Sequence, residues 1–201
     1  MGLDDEDVWV NLPVQYLWIY DRLILSRQLG YQAAPAGVPV PTANWYIIKP
    51  ITNLRGMGRG AQRLWLTPEL TDSVPDGSFW MPWFRGRHIS VDYHWGQQDL
   101  AVEGFRRDNR LDRFTRWCRV ADQMPLPLCL EPVARDLEWL NVEYIGGLVI
   151  EVHARYDVTF RDHSSDEIYP QWCDEPVTQP PGTSWYPCAA GDRTGFWIKN
   201  K

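Results

Sequence analysis

Along residues 141–155 apolar and polar side chains alternate on either side of Gly146 and Gly147. That pattern predicts a half-buried β-hairpin with a glycine turn. In its second strand the period of two places Glu151, His153 and Arg155 on one face and Ile150, Val152 and Ala154 on the other. A strict two-residue loop would set Glu143 opposite Ile150, facing away from Glu151. Sharing a face with Glu151 requires an odd loop or a bulge. A second alternation begins at His88, with Ser90, Asp92 and His94 on its face and Ile89, Val91, Tyr93 and Trp95 on the other. It predicts a strand that turns at residues 96–99 and returns through residues 100–105.

Elsewhere the periods change. Residues 14–28 read as one amphipathic helix stopped at Gly30. Pro35, Pro39 and Pro41 make the next stretch an extended connector. Residues 45–49 form a strand ended by Pro50, and residues 79–84 an apolar run broken by Pro82. The segment 106–119 carries Arg106, Arg107, Arg110, Arg113, Arg116 and Arg119 with Asp108 and Asp112 interleaved. Helical pairing on a solvated face explains it, and a groove for an anionic acceptor is the sharper alternative. Residues 131–140 look helical, and residues 161–201, polar and proline-rich, read as an irregular tail.

Composition narrows the function. At 201 residues the chain can bury one sizeable core or two small lobes sharing a cleft. Twelve tryptophans are unusual and read as core and cleft packing. A net charge of −6 argues against generalised binding to nucleic acid or anionic membranes. No apolar run approaches the ~20 residues of a membrane-spanning helix, and the acidic start is no signal peptide, so a cytoplasmic protein is expected. Cys118, Cys129, Cys173 and Cys188 contain no C-x-x-C pair and read as free thiols, with a Cys173–Cys188 approach left open.

Candidate chemistry concentrates in three places. A carboxylate on the hairpin face can hold a hard divalent cation, and an arginine beside it can meet phosphate oxygens in a fork. After the strand at 45–49, Gly56, Gly58 and Gly60 alternate, which lets a loop close so that backbone N–H groups point at phosphates, or simply makes a hairpin tip. Lys49 ahead of that loop supplies a point charge for the same anion.

Taken in order, these blocks resemble the ATP-grasp enzymes. The hairpin reads NVE followed by IEVH-x-R, similar to the family's NVQ or NVE and IEVN-x-R. The resemblance implies Glu143, Glu151 and His153 as magnesium-side groups, with His153 where the family has Asn, and Arg155 as a contact to phosphate or intermediate. Lys49 matches the nucleotide lysine and Gly56, Gly58 and Gly60 the phosphate-covering loop. Residues 79–84 match the hinge strand laid against adenine, with Met81 at the place of the acidic ribose residue and Trp83 beside it. Gly86 and His88 fall at matching places. The family's lysine ahead of the first strand is missing, leaving Arg22 or Arg27 as substitutes.

The implied fold is α+β, two small lobes with antiparallel sheets enclosing a nucleotide cleft. Residues 1–44 would be helix and connector, 45–85 the first lobe and hinge, 86–160 the second lobe, and 161–201 the tail packed upon it. The implied function is an ATP-dependent carboxylate-amine ligase working through an acyl phosphate, with ATP and Mg2+ as cofactors. Its acceptor, unidentified, would bind near residues 106–119, at the tail, or through a partner protein. A degenerate relative that binds a nucleotide or protein without chemistry is the alternative, and a kinase stopping at phosphoryl transfer a third reading.

Overall fold

The computed structural model describes residues 5–54, 58–70, 73–106, 111, 113–157, 160 and 165–201. Helix α1 spans Asp5–Trp9, a 3-10 helix spans Val14–Tyr20, and α2 spans Arg22–Gln28. The single helix expected over residues 14–28 is therefore broken. Asp21 turns extended (φ −82°, ψ 96°) and its carboxylate accepts the Ile24 N–H at 2.8 Å, an N-cap that restarts the helix.

Four strands form a small antiparallel sheet: β1 (Ala34–Pro35), β2 (Asn44–Pro50), β3 (Gln62–Leu66) and β4 (Ser78–Pro82), in the order β1-β4-β2-β3. Strand alternation decides its two faces. Tyr46, Ile48 and Trp80 pack on one side, and Ile47, Phe79 and Met81 on the other. Lys49 shares the second side, which faces the rest of the chain.

The remaining strands make an eight-stranded antiparallel sheet. They are β5 (His88–His94), β6 (Gln97–Phe105), β7 (Arg116–Arg119), β8 (Trp139–Ile145), β9 (Leu148–His153), β10 (Glu167–Trp172), β11 (Thr183–Ala190) and β12 (Arg193–Lys199). Their order is β11-β12-β10-β7-β6-β5-β8-β9. Ile89, Val91, Tyr93, Leu140, Val142, Tyr144, Val149 and Val152 build the main core against Ile19, Tyr20, Leu25 and helix α3 (Glu131–Asp136). The alternate positions, His88, Ser90, Asp92, Asn141 and Glu151, are buried and polar. A polar face that stays buried needs partners, and it finds them in the cleft and in hydrogen bonds such as Asn141 Nδ2 to Ser90 Oγ (2.8 Å).

Two expectations about the C-terminal half change. The tail is not irregular: β10, β11 and β12 extend the sheet and enclose Phe160, Ile168 and Phe196 with Val102 of β6. Its prolines are tolerated because β10 pairs with β7 only at Glu167 and Ile168, so Pro170 interrupts no second ladder, while Pro187 lies on the edge strand β11. Arg116 and Arg119 stand in a strand, not a helix. Their partners come from across the sheet: Arg116 meets Glu167 at 3.1 Å and Arg119 donates to the carbonyls of Ser165 and Phe160. All four cysteines are free. Among the described residues no helix is long and apolar enough to cross a membrane.

The signature hairpin forms with both glycines at positive φ (59° and 84°), the two-residue turn that matches strand twist. A bulge at Ile150 then shifts the register so that Glu143 lies opposite Glu151. The hinge docks on this turn: the Gly146 N–H donates to the Arg87 carbonyl at 3.0 Å, and Gly86 passes against Gly146. A Cβ on Gly146 would meet the Arg85 carbonyl oxygen at 2.3 Å. Gly146→Ala is therefore expected to destabilise the protein by about 1–3 kcal/mol, seen in the urea midpoint, with Gly147→Ala, which meets nothing, milder.

Candidate functional site

The two sheets face each other across a cleft. Ile47, Met81, Trp83, Phe84, Leu111 and Ile145 give it an apolar wall, and Arg22, Lys49, Arg106, Glu143 and Glu151 a charged floor. An apolar slot above a few converging charges is the general form of a small-molecule site.

Lys49 ties the lobes together. Its Nζ donates to the carbonyl of Ile150, the bulged residue, at 3.1 Å. The bulge also explains why Ile150 lines the cleft instead of following Val152 into the core, as unbroken alternation would have it. Burial pushes the Lys49 pKa down to about 7, with Arg22 and Arg106 adding to the shift and Glu143 opposing it.

Glu143 sits at the centre of a relay. His88 Nε2 lies 3.1 Å from its carboxylate, and Arg106 donates to His88 Nδ1 at 3.1 Å. Burial would raise the Glu143 pKa, but the hydrogen bond from His88 and the charge of neighbours including Arg106 hold it below the usual range. Burial lowers the His88 pKa, and the ring acts as a neutral imidazole, N–H toward Glu143 and lone pair toward Arg106. Phe114 packs edge-on to His88 at 4.9 Å and carries the Arg106 guanidinium over its face at 4.5 Å.

Across the bulge, Glu151 is ion-paired with Arg22, both side chains almost fully buried. Burial lowers the Arg22 pKa to about 10, with Glu143 and Asp5 opposing, which leaves it charged at neutral pH. Parting a buried pair by deleting one member generally costs about 3–5 kcal/mol. His153 presents Nε2 at 3.8 Å from Glu151 and 3.9 Å from Glu143, while Nδ1 meets Asp5 at 2.8 Å. Asp5 also takes two hydrogen bonds from Arg155 (2.9 and 3.3 Å) and one from Tyr20 (3.1 Å).

A magnesium ion on Glu143, Glu151 and His153, as the sequence resemblance implies, does not fit this arrangement. The bulge gathers the three, but Arg22 already holds the Glu151 carboxylate. Among the described residues no group of three or more His, Cys, Asp or Glu side chains is placed to hold a metal ion.

Of the other expected site residues, Lys49, Gly58, Met81 and Trp83 line the cleft, and His88 acts through Glu143. Gly60 lies against Pro50 instead, where a Cβ would meet the ring at 2.8 Å, and Gly56 falls outside the described residues. Arg155 is turned away onto Asp5. Between the two arginines proposed for the missing lysine, Arg22 reaches the cleft and Arg27 binds the Ala33 carbonyl. Arg113 pairs with Asp174 and Arg116 with Glu167, so the arginine-rich segment sends only Arg106 to the cleft wall among its described residues. Asp5 is the organising residue that sequence reasoning missed: in an acidic N-terminal run it carries no pattern of its own.

No protein-family model matches the sequence, and no curated protein matches it. Solved structures do. The L-amino acid ligase of Bacillus licheniformis superposes with a TM-score of 0.57 at 12% identity, over 98% of this chain and 71% of that one. A protein of Archaeoglobus fulgidus assigned to the ATP-grasp superfamily gives 0.54 at 16% identity, over 91% and 64%. The carboxyaminoimidazole ribonucleotide synthase of Aspergillus clavatus, solved with ATP, gives 0.54 at 11% identity, over 92% and 70%. The chain thus spans less than two thirds of the Archaeoglobus protein. At such identities the likeness is one of fold.

Proposed function

Since the chain has the ATP-grasp fold, we propose that it is an ATP-dependent ligase that joins a carboxylate to an amine through an acyl phosphate. The observation that carries this reading is the buried Lys49, held between the lobes beside Arg22 and Arg106 and below an apolar slot. A cation whose pKa burial has lowered to about 7 is costly to keep, and an incoming polyphosphate gives it a counter-charge. The base lies between the hinge, Met81 and Trp83, and Ile145, and its phosphates reach Lys49 and Gly58. That the Aspergillus structure holds ATP, and that the Bacillus protein is a ligase, supports the assignment.

The chemistry follows from the charges. An acceptor carboxylate oxygen attacks the γ-phosphorus, the bond to the β-phosphate oxygen breaks, and ADP leaves. Lys49, Arg22 and Arg106 meet the charge spread over the transferring oxygens. An amine then attacks the acyl carbon, phosphate departs, and the amine gives up a proton. Fixed cations in a water-poor cleft need no reorganisation as that charge moves.

A second reading has its own support. Arg155 bound to Asp5, and Arg22 bound to Glu151, suit a relative that binds nucleotide without turnover. Supplying ATP with mixed carboxylates and amines and measuring ADP release separates the two. The ligase reading predicts release that requires both acceptors and is lost in Lys49→Met. ATP binding with no release under any mixture selects the scaffold, and release with carboxylate alone selects a kinase.

A further inference from the structure

The bulge at Ile150 creates a problem that has to be solved within the fold. It sets Glu143 and Glu151 opposite each other on one buried face of β8 and β9, and carboxylates so placed repel. A cation must stand among them. A divalent metal is one solution and a guanidinium another.

We propose that Arg22 is the built-in counter-cation of this carboxylate pair, so that the cleft takes the polyphosphate of a nucleotide without a divalent metal. The inference rests on the nucleotide reading given above. Three observations support it. Arg22 is 4% exposed and forms the ion pair with Glu151. Its position is set by the backbone, not by a flexible approach: its N–H donates to the Ile51 carbonyl at 2.9 Å, and its own carbonyl accepts Ser26 Oγ at 2.7 Å. The Asp21 cap starts α2 at this residue, which aims the side chain from the first turn into the cleft.

Charge points the same way. Arg22, Lys49 and Arg106 already face Glu143 and Glu151. A divalent ion entering there would have to displace a buried guanidinium from Glu151 and then sit among three cations. A phosphate chain meets the opposite situation, since each anionic oxygen finds a fixed donor. Arginine also matches phosphate oxygens in a fork, so the same residue can balance Glu151 and contact the nucleotide.

The test is calorimetric titration of ATP into the intact protein, once in excess magnesium and once in EDTA. The proposal expects dissociation constants within about threefold of each other, and no thermal shift from Mg2+ or Mn2+ alone. Arg22→Gln is expected to bind ATP at least about tenfold more weakly in EDTA, the loss of one charge-assisted contact, and to recover affinity when magnesium is added. Should that variant not fold, the wild-type comparison decides alone. Wild-type binding that disappears in EDTA overturns the proposal and leaves the nucleotide reading standing. No binding in either buffer by folded protein overturns both.

Discussion

Arg22→Ala is expected to cost about 3–5 kcal/mol of folding stability, the largest single loss in the cleft, because it leaves the Glu151 carboxylate buried without its partner. The loss belongs to the stranded charge more than to the contact. Removing both members, as in Arg22→Met with Glu151→Leu, is therefore expected to return most of it. Urea unfolding of Arg22→Met, Glu151→Leu, the double variant and the wild type gives the coupling directly. If Arg22→Ala costs no more than a surface substitution, the pair does not hold the floor of the cleft.

Lys49→Met is expected to act in the opposite direction on stability while removing function. The folded-state pKa is about 7 against 10.5 for the free side chain. Between these values the unfolded chain binds more protons than the folded one, so wild-type stability rises with pH from about 7 to about 10.5. Below about 7 both states carry the charge and the full cost of burying it is felt. The variant lacks that charge. It should be more stable than wild type near neutral pH, by up to about 5 kcal/mol less the hydrogen bond lost from Ile150, and the gap should narrow as pH rises toward 10. Unfolding midpoints of both proteins at pH 7 and 9 check the sign. On the proposed reading, a cation retained at such a cost is explained by the polyphosphate it would bind.

The fold was legible wherever a strand showed two chemically different faces. Residues 88–94 and 141–155 announce their register because apolar core positions alternate with polar ones, and the glycine pair marks the turn. The bulge at Ile150 was implied only conditionally. The alternation counts residues, and a single extra residue is visible in the sequence only if both Glu143 and Glu151 are required on one face. The C-terminal strands were hidden by a polar, proline-rich composition that reads as an irregular tail, while Pro170 and Pro187 stand where β10 and β11 lack a second full ladder. Arg116 and Arg119 misled through spacing alone, since i and i+3 charges suit a helix but here serve carbonyls and carboxylates from distant strands.

The site was legible in its residue types more than in their pairings. Lys49, Glu143 and Glu151 all line the cleft. What no local pattern discloses is that Asp5, nearly 150 positions earlier in the chain, takes both His153 and Arg155. Nor does it show that Arg22, from a segment read only as an amphipathic helix, neutralises Glu151. Long-range ion pairs have no period. They are set by where Asp5 of α1 and Arg22 of α2 reach β9, and only the folded chain shows that meeting.

The central claim, a nucleotide bound between the lobes on Lys49, is tested most directly by calorimetric titration of ATP into wild-type protein and into Lys49→Met in magnesium-containing buffer. The account predicts one saturable site in the wild type and no measurable binding by the variant, which remains folded and is the more stable of the two. Binding that the variant retains, or no binding by folded wild type, would contradict it.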